Sequence, residues 1–318
     1  MKCPGCGSEI KPLDGACPDC GAAMGDREIT AKIDTEELRR KWEERAEKAR
    51  GIAVVASVGA KTDLGRVREN NEDKFEFYVP EDEDTLARKG AFYAVADGMG
   101  GHAAGQIASE LALKTVIGQY FGENSLSVEG SLRSAVQAAN AVIHSAAQAI
   151  VERNGMGTTL TALVIRGEDV FVAHVGDSRC YRLRGGKLTQ LTEDHSWVGE
   201  QVRRGGMTRD EAEQSPFKNI ITRSLGNFLT VEPDIFQDEL CEGDIYLLCS
   251  DGLTGEVSDN DIKNALKNGD PSKAAWDLVQ LALENGGRDN VTVLIVAVRD
   301  IIRRDRKRKG LAGLLARD

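Results

Sequence analysis

The sequence predicts an α+β fold in which sheets are sandwiched inside helical layers. Three observations carry this expectation. Short apolar runs bounded by turn residues recur in groups between residues 51 and 300, as core strands do. Two long alanine-rich stretches with apolar residues at helical spacing separate those groups. Five aspartates, Asp73, Asp97, Asp177, Asp251 and Asp289, stand at the ends of five strand candidates.

Taken in order, residues 34–50 are dense in charge of both signs, with Leu38, Trp42, Ala46 and Ala49 apolar. That thin stripe predicts a solvated helix lying loosely on something or bridging two modules. Residues 75–79 read as a strand opened by Asp73, and residues 91–96 as a buried strand closed by Asp97-Gly98. The two alanine-rich helices are expected over 103–121 and 131–153. Strands at 159–165 and 170–174 sit close enough for a hairpin through 166–169, and Asp177 closes the second. The run 245–250 ends at Asp251-Gly252. One helix is expected near Ser258, and another from Pro271, at a first-turn position, to Gly286, placed as its cap. Asp289 opens the strand 291–296. Cys180, Cys241 and Cys249 lie in apolar strand contexts and read as buried core residues.

At 318 residues the chain has ample length for a real core. The 34 glycines and few aromatics suit a loop-rich enzyme, and the net charge of −10 excludes a nucleic-acid binder held by general electrostatics. No run of about 18 apolar residues appears, so no membrane span is expected. No signal peptide fits, and the seven cysteines are not spaced as a secreted disulfide framework, which predicts a cytoplasmic protein. The organisation expected is a cysteine module at 1–25, a charged helical linker at 26–50, a globular domain at 51–300 and a basic tail at 301–318. In that tail a basic run is followed by Leu311, Leu314 and Leu315. A frayed, solvated end is its expected state, with an anionic membrane or acidic partner as the alternative.

Cys3, Cys6, Cys17 and Cys20 form two CxxC knuckles ten residues apart. Four thiolates in tetrahedral reach of one Zn²⁺ leave no open position, so such a site is structural, and metal binding stabilises so small a segment. A thioredoxin-like redox pair and a rubredoxin-type iron site are the alternatives; the first lacks a surrounding βαβ pattern. A ribbon of this size suits contact with a partner, whose identity the residues do not specify.

One Asp-Gly pair is ordinarily a turn. Five strand-terminal aspartates can instead converge at one edge of a sheet core, where carboxylates and a closely approaching glycine backbone make a hard-cation site.

Several blocks extend the pattern: Gly65-Arg66-Val67-Arg68-Glu69-Asn70-Asn71-Glu72-Asp73, Ala96 to His102, Gly155-Met156-Gly157-Thr158-Thr159, Val175-Gly176-Asp177-Ser178-Arg179, Leu191 to Ser196, Cys249-Ser250-Asp251-Gly252-Leu253 and Gly287 to Thr292. Each alone is weak, but seven in series from about residue 55 to 298 resemble the metal-dependent protein phosphatase 2C family in its bacterial form. The resemblance implies a four-layer α-β-β-α sandwich of two antiparallel sheets with a dinuclear Mg²⁺ or Mn²⁺ site at one end. It further implies that Asp97 bridges both ions, that Asp73 and the Gly98 carbonyl serve one, and that Asp251 and Asp289 serve the other. Asp177, with Asp251, would hold a weaker third ion, Glu72 would act behind the ligands, and Arg68 would bind phosphate. An isolated Arg68 would read as a surface arginine.

Physical chemistry agrees with those roles. Two hard cations about 3.5–4 Å apart lower the pKa of a bridging water and clamp phosphoryl oxygens. All-oxygen ligands select Mg²⁺ or Mn²⁺, and the guanidinium fork of Arg68 suits phosphate. Some family members carry a histidine directly after Asp-Gly; here that position is Met99, and neither His102 nor His195 is assigned as general acid. Residues 196–230, with a Thr208-x-x-Glu211 capping box, match the family's mobile flap.

The implied activity is hydrolysis of phosphoserine and phosphothreonine in proteins, opposing a Ser/Thr kinase that acts on the same substrates. A phosphatase-fold regulatory module, or pseudophosphatase, that recruits partners through the cysteine module is the alternative from another class. A dead copy would have no need to keep Asp73, Asp97, Asp251 and Asp289, which repel one another.

Overall fold

The computed structural model describes residues 35–303 apart from positions 102, 124–126, 151, 152, 154 and 219. Cys3, Cys6, Cys17, Cys20, His102 and the tail beyond residue 303 therefore lie outside the described residues. The chain divides into two compact units, 1–44 and 45–318.

The charged segment forms α1 (Thr35–Arg50), acidic in its first turn and basic in its last, which complements the helix dipole. In the second unit Ala49 is buried. Next come β1 (Ile52–Asp63), β2 (Lys74–Tyr78), α2 (Glu83–Lys89), β3 (Ala91–Ala96) and the short β4 (Gly98–Met99). Two long helices, α3 (Ala103–Gly122) and α4 (Val128–Ala149), precede β5 (Gly157–Thr158), β6 (Leu160–Arg166) and β7 (Asp169–Val175). The next elements are β8 (Arg179–Arg184), β9 (Lys187–Gln190), α5 (Trp197–Arg203), α6 (Arg209–Gln214), β10 (Asp234–Glu239) and β11 (Ile245–Cys249). The described chain ends with α7 (Asp251–Thr254), α8 (Asp259–Leu266), α9 (Pro271–Glu284) and β12 (Val291–Arg303).

Two five-stranded sheets result, ordered β1-β12-β11-β8-β9 and β10-β7-β6-β3-β2. Their pairings are antiparallel throughout. Alternation along each strand explains the layers. On β3, Tyr93 and Val95 meet Leu294 and Val296 of β12 between the sheets. Phe92, Ala94 and Ala96 point the other way, against α3 and α4. On β12, Val293 and Ile295 face α8 and α9. Both faces of these strands are covered, so they read as unbroken apolar runs. The small residues Ala108, Ala112, Ala135 and Ala139 are fully buried where α3 and α4 lie on their sheet.

Several expectations shift in detail. The second alanine-rich helix begins at Val128 because the Ser127 hydroxyl caps it, accepting from the Gly130 amide, and it stops at Ala149 where Ile150 turns extended. Helix α9 starts at Pro271 as expected but ends two residues before Gly286, with Asn285 as cap. The hairpin closes through Gly167 and Glu168 alone, since Arg166 already pairs with Asp169. Cys180 and Cys249 are buried, but Cys241 is only half-buried. It stands in the turn before β11, where its amide donates to Asp244 Oδ2 at 2.9 Å.

β12 runs to Arg303, past the boundary expected at residue 300. Its pairing with β1 shifts between Val55 and Ala56, leaving Arg299 as an extra residue. That bulge reverses the inward–outward parity of the residues beyond it. Ile301 therefore joins the core between the sheets, while Ile302 is exposed. Accordingly, Ile301→Ala should lower stability by about 2–5 kcal/mol, as deletions in a buried layer do. Ile302→Ala should stay within about 0.5 kcal/mol. Denaturant titration of both variants would settle the register, and a reversed order would show the bulge to be misplaced.

Candidate metal centre

Antiparallel pairing gathers the five aspartates. β2, β6 and β12 begin at the end of the sandwich where β3, β7 and β11 finish, so residues flanking those termini share one rim. Asp73 precedes β2, whose Lys74 pairs with Ala96, and Asp97 comes directly after. Asp177 lies two residues after Val175, which pairs with Leu160 at the start of β6. Cys249 pairs with Val293, which brings Asp251 beside the approach of Asp289 to β12. One expectation is refined: Asp251 does not close a strand but opens α7 after the cap position Ser250.

Small polar residues fix each aspartate. The Asp97 amide donates to Thr159 Oγ1 at 2.9 Å, and its carbonyl accepts from Thr158 Oγ1 at 2.8 Å. Thr159 Oγ1 also meets Ser178 Oγ at 2.8 Å, linking this turn to the one that carries Asp177. The Ser250 hydroxyl donates to Asp73 Oδ2 at 2.7 Å and itself accepts from the Thr292 amide at 3.0 Å, tying the two sheets together. Glycine after aspartate is needed for close approach. A Cβ on Gly98 would stand 2.2 Å from the Gly105 carbonyl oxygen, and one on Gly252 would stand 1.9 Å from that of Asn290. Glu72 lies against the first turn of α3, its Oε2 occupying the space a side chain at Gly105 would take.

Asp73 and Asp177 are buried, and Asp97, Asp251 and Asp289 are half-buried. Burial pushes the Asp73 carboxyl up to about 7, opposed by the hydroxyls of Ser250 and Thr292 and reinforced by Asp251 and Asp289. Burial and then the charges of Asp73, Asp251, Asp177 and Asp289 hold Asp97 well above the usual carboxylate range. Asp177 is raised by burial and by Asp251, and Asp251 by burial and by Asp289. Asp177 Oδ1 is buried without a hydrogen-bond partner. Among the described residues no three His, Cys, Asp or Glu side chains close round a single point as a ready cage. The aspartates share a field rather than a cage. An all-oxygen set with one or two carboxylates per ion is what Mg²⁺ or Mn²⁺ accepts while keeping its waters. The orphaned oxygen of Asp177 and the mutual repulsion fit divalent cations.

Arg68 stands at the rim, 55% exposed, with Nη2 2.6 Å from Asp289 Oδ2. That bond raises its pKa further, as do the charges of Glu72 and Asp97. His195 is structural: Nδ1 accepts from the Gly176 amide at 3.0 Å, leaving Nε2–H to donate to Asp234 at 3.0 Å. Met99 Sδ accepts from Asn227 Nδ2 at 3.7 Å, so no proton donor occupies that position. In the 196–230 segment the capping box forms in full, with Thr208 and Glu211 bonded reciprocally, and Trp197 packs edge-on against Phe217 at 5.4 Å.

Sequence pattern alone left Thr158, Thr159, Ser178, Ser250, Asn290 and Thr292 without a role. Their signal is a small polar side chain inside or beside an apolar strand, next to an aspartate. What each touches depends on strand pairing between distant segments.

The Protein phosphatase 2C family model matches residues 59–291 of this chain. The serine/threonine protein phosphatase PstP of Mycobacterium tuberculosis is 39% identical over 249 residues, 78% of this chain and 46% of that protein. The chain thus spans about half the length of that curated relative. The serine/threonine phosphatase stp of Listeria monocytogenes is 39% identical over 251 residues, 77% of this chain and 97% of stp. The catalytic domain of PstP in complex with two manganese ions superposes with a TM-score of 0.68 at 40% identity, over 78% of this chain and all of that one.

The charge at the rim makes a prediction. A carboxyl raised from 3.8 to about 7, as Asp73 is, stabilises the metal-free fold at low pH and loses that contribution as pH rises through 7. A bound divalent cation removes the repulsion and needs the carboxylates deprotonated. The rise in Tm on adding Mn²⁺ should therefore be larger at pH 8 than at pH 5.5. Buried His174, pushed down to about 3, and His195, also lowered, act oppositely: their effect is destabilising as pH falls below 6.5. Metal-saturated protein should lose Tm in that range. Equal Mn²⁺ shifts at both pH values would contradict the account.

Proposed function

The chain belongs to the protein phosphatase 2C family, and from that membership we propose that it hydrolyses phosphoserine and phosphothreonine in proteins with divalent metal ions. The observation that carries this reading is the rim of five buried or half-buried aspartates with an arginine beside them; burial, and then neighbouring carboxylate charge, raises Asp73, Asp97, Asp177 and Asp251. Asp97 would bridge two Mn²⁺ or Mg²⁺ ions, with Asp73 and the Gly98 carbonyl on one and Asp251 and Asp289 on the other. Asp177, whose Oδ1 has no protein partner, would hold a third ion with Asp251. The ions, when bound, supply an acidified water and neutralise the charge of the phosphate dianion.

The protein's own groups do the rest. Ser250 orients Asp73 by its 2.7 Å bond, and Thr158 and Thr159 lock the turn that carries Asp97 and Gly98. The exposed Arg68 spends one nitrogen on Asp289 and has donors left for phosphate oxygens, a geometry suited to the guanidinium fork. The manganese-bound relative supports Mn²⁺ as the working ion. Substrates are proposed to be phosphorylated proteins, with a Ser/Thr kinase as the opposing enzyme. Cys3, Cys6, Cys17 and Cys20 are proposed to hold one structural Zn²⁺ and to meet a separate partner. Among the described residues no helix is long and apolar enough to cross a membrane; cytoplasmic placement is part of the proposal.

Activity on a phosphothreonine peptide should vanish with EDTA and return with Mn²⁺; undiminished hydrolysis without metal would refute the two-ion reading. Asp251→Asn should nearly abolish turnover. Asp177→Ala should lower it by about 10-fold, as loss of an outer metal contact does, while calorimetry still finds the tighter Mn²⁺ sites. Equal loss of all metal binding in both variants would refute the ranking.

A further inference from the structure

The loop that carries Arg68 has no regular secondary structure between the end of β1 and the start of β2. At its later end Ser109 Oγ donates to the Glu72 carbonyl at 2.6 Å and Asn71 Nδ2 to Thr62 Oγ1 at 2.9 Å. One side chain outside the aspartate set bonds to the loop on both sides of Arg68. Asn290, 6% exposed, donates through Nδ2 to the Leu64 carbonyl at 2.8 Å and to the Asn70 carbonyl at 3.0 Å. Its Oδ1 accepts from the Glu72 amide at 2.8 Å. Three hydrogen bonds from one buried amide thus grip the loop on both sides of Arg68, more than 200 residues away in sequence. The neighbouring residue, Asp289, receives Arg68 itself at 2.6 Å.

We propose that Asn290 is a positioning residue that clasps the 64–72 loop to the start of β12 and so sets Arg68 against the metal rim. The catalytic consequence rests on the phosphatase reading; the clasp itself does not. Packing supports it. Gly65, at φ +81°, presses its backbone so close to the start of β12 that a Cβ would lie 2.3 Å from the Asp289 carbonyl oxygen. The Arg66 amide donates to the Gly287 carbonyl at 2.7 Å, and Arg66 Nε to Leu283 O at 2.7 Å. These bonds anchor the early half of the loop. Its later half, from Asn70 to Glu72, reaches the strand through Asn290. The chemistry is specific to asparagine. Aspartate keeps the acceptor but loses both donors and faces two carbonyls, serine has a single donor, and glutamine carries the amide one methylene too far.

The test uses the full chain and two readouts. In Asn290→Ala, hydrogen exchange of the amides in 64–72 should accelerate at least 10-fold while β3 and β11 stay protected. On a phosphothreonine peptide with Mn²⁺, kcat/KM should fall roughly 10–100-fold, the range for losing a group that orients a catalytic one, chiefly through KM. In an Arg68→Ala background the same change should cost under 3-fold, because independent sites add and coupled ones do not. Retained protection of the loop, or an equal factor in both backgrounds, would overturn the proposal. Loss of protection throughout the chain in both Asn290→Ala and Asn290→Ser would make Asn290 a general stability residue and overturn it too. Loop deprotection in Asn290→Ala, with a wild-type protein that hydrolyses no phosphoester, would uphold the clasp and refute the phosphatase reading instead.

Discussion

Repulsion among carboxylates brought to one end of two sheets governs how this molecule is built. Burial and neighbouring like charge push Asp73, Asp97, Asp177 and Asp251 towards protonation. Isolated aspartates would turn outward to water, as buried charge without a partner is costly. Here the backbone forbids it. Each aspartate lies at or within two residues of a strand terminus whose register is held by a long apolar ladder.

That ladder supplies the force to oppose the repulsion. Tyr93, Val95, Leu294 and Val296 bury themselves between the sheets, and Val293, Ile295 and the alanines of α3 and α4 cover the outer faces. Such burial is non-directional, so it can hold the sheets together without deciding how any carboxylate points. Direction comes from hydrogen bonds. Ser250 joins Asp73 to the Thr292 amide across the sandwich, and Thr159 joins Asp97 to Ser178. His195 ties the Gly176 turn to Asp234 at the edge strand β10, where Arg223 also binds at 2.6 Å. Among the described residues of this rim, Asp177 Oδ1 is a buried polar atom left without a hydrogen-bond partner. An unsatisfied buried oxygen beside other carboxylates points to a cation.

Division of labour between loop and scaffold comes from the same physics. Arg68 must lie beside negative charge and still be open to solvent for an incoming anion, a demand no buried strand meets. A loop meets it, provided something rigid fixes the loop, and Asn290 and the Gly287 turn do so.

Local pattern was enough to read the class of the fold, the long helical blocks, the strand candidates and the five strand-terminal aspartates, whereas Arg68 stood out only through the family resemblance. An apolar run closed by Asp-Gly needs no knowledge of its neighbours, and Ser258 and Pro271 mark helix starts through local signals, while the Ser127 cap, unread in the sequence, set the second alanine-rich helix three residues earlier. Seven motif blocks in series also made the family legible. That the carboxylates share one rim emerged from the folded chain alone, because convergence depends on which strand pairs with which, between segments up to some two hundred residues apart. The same holds for the work of Thr159, Ser250 and Asn290, whose partners are remote in sequence. It holds for Ile301 too, turned inward because a single extra residue at Arg299 reverses every side chain beyond it. Pairing is a property of two segments at once, and no periodicity within one segment encodes it.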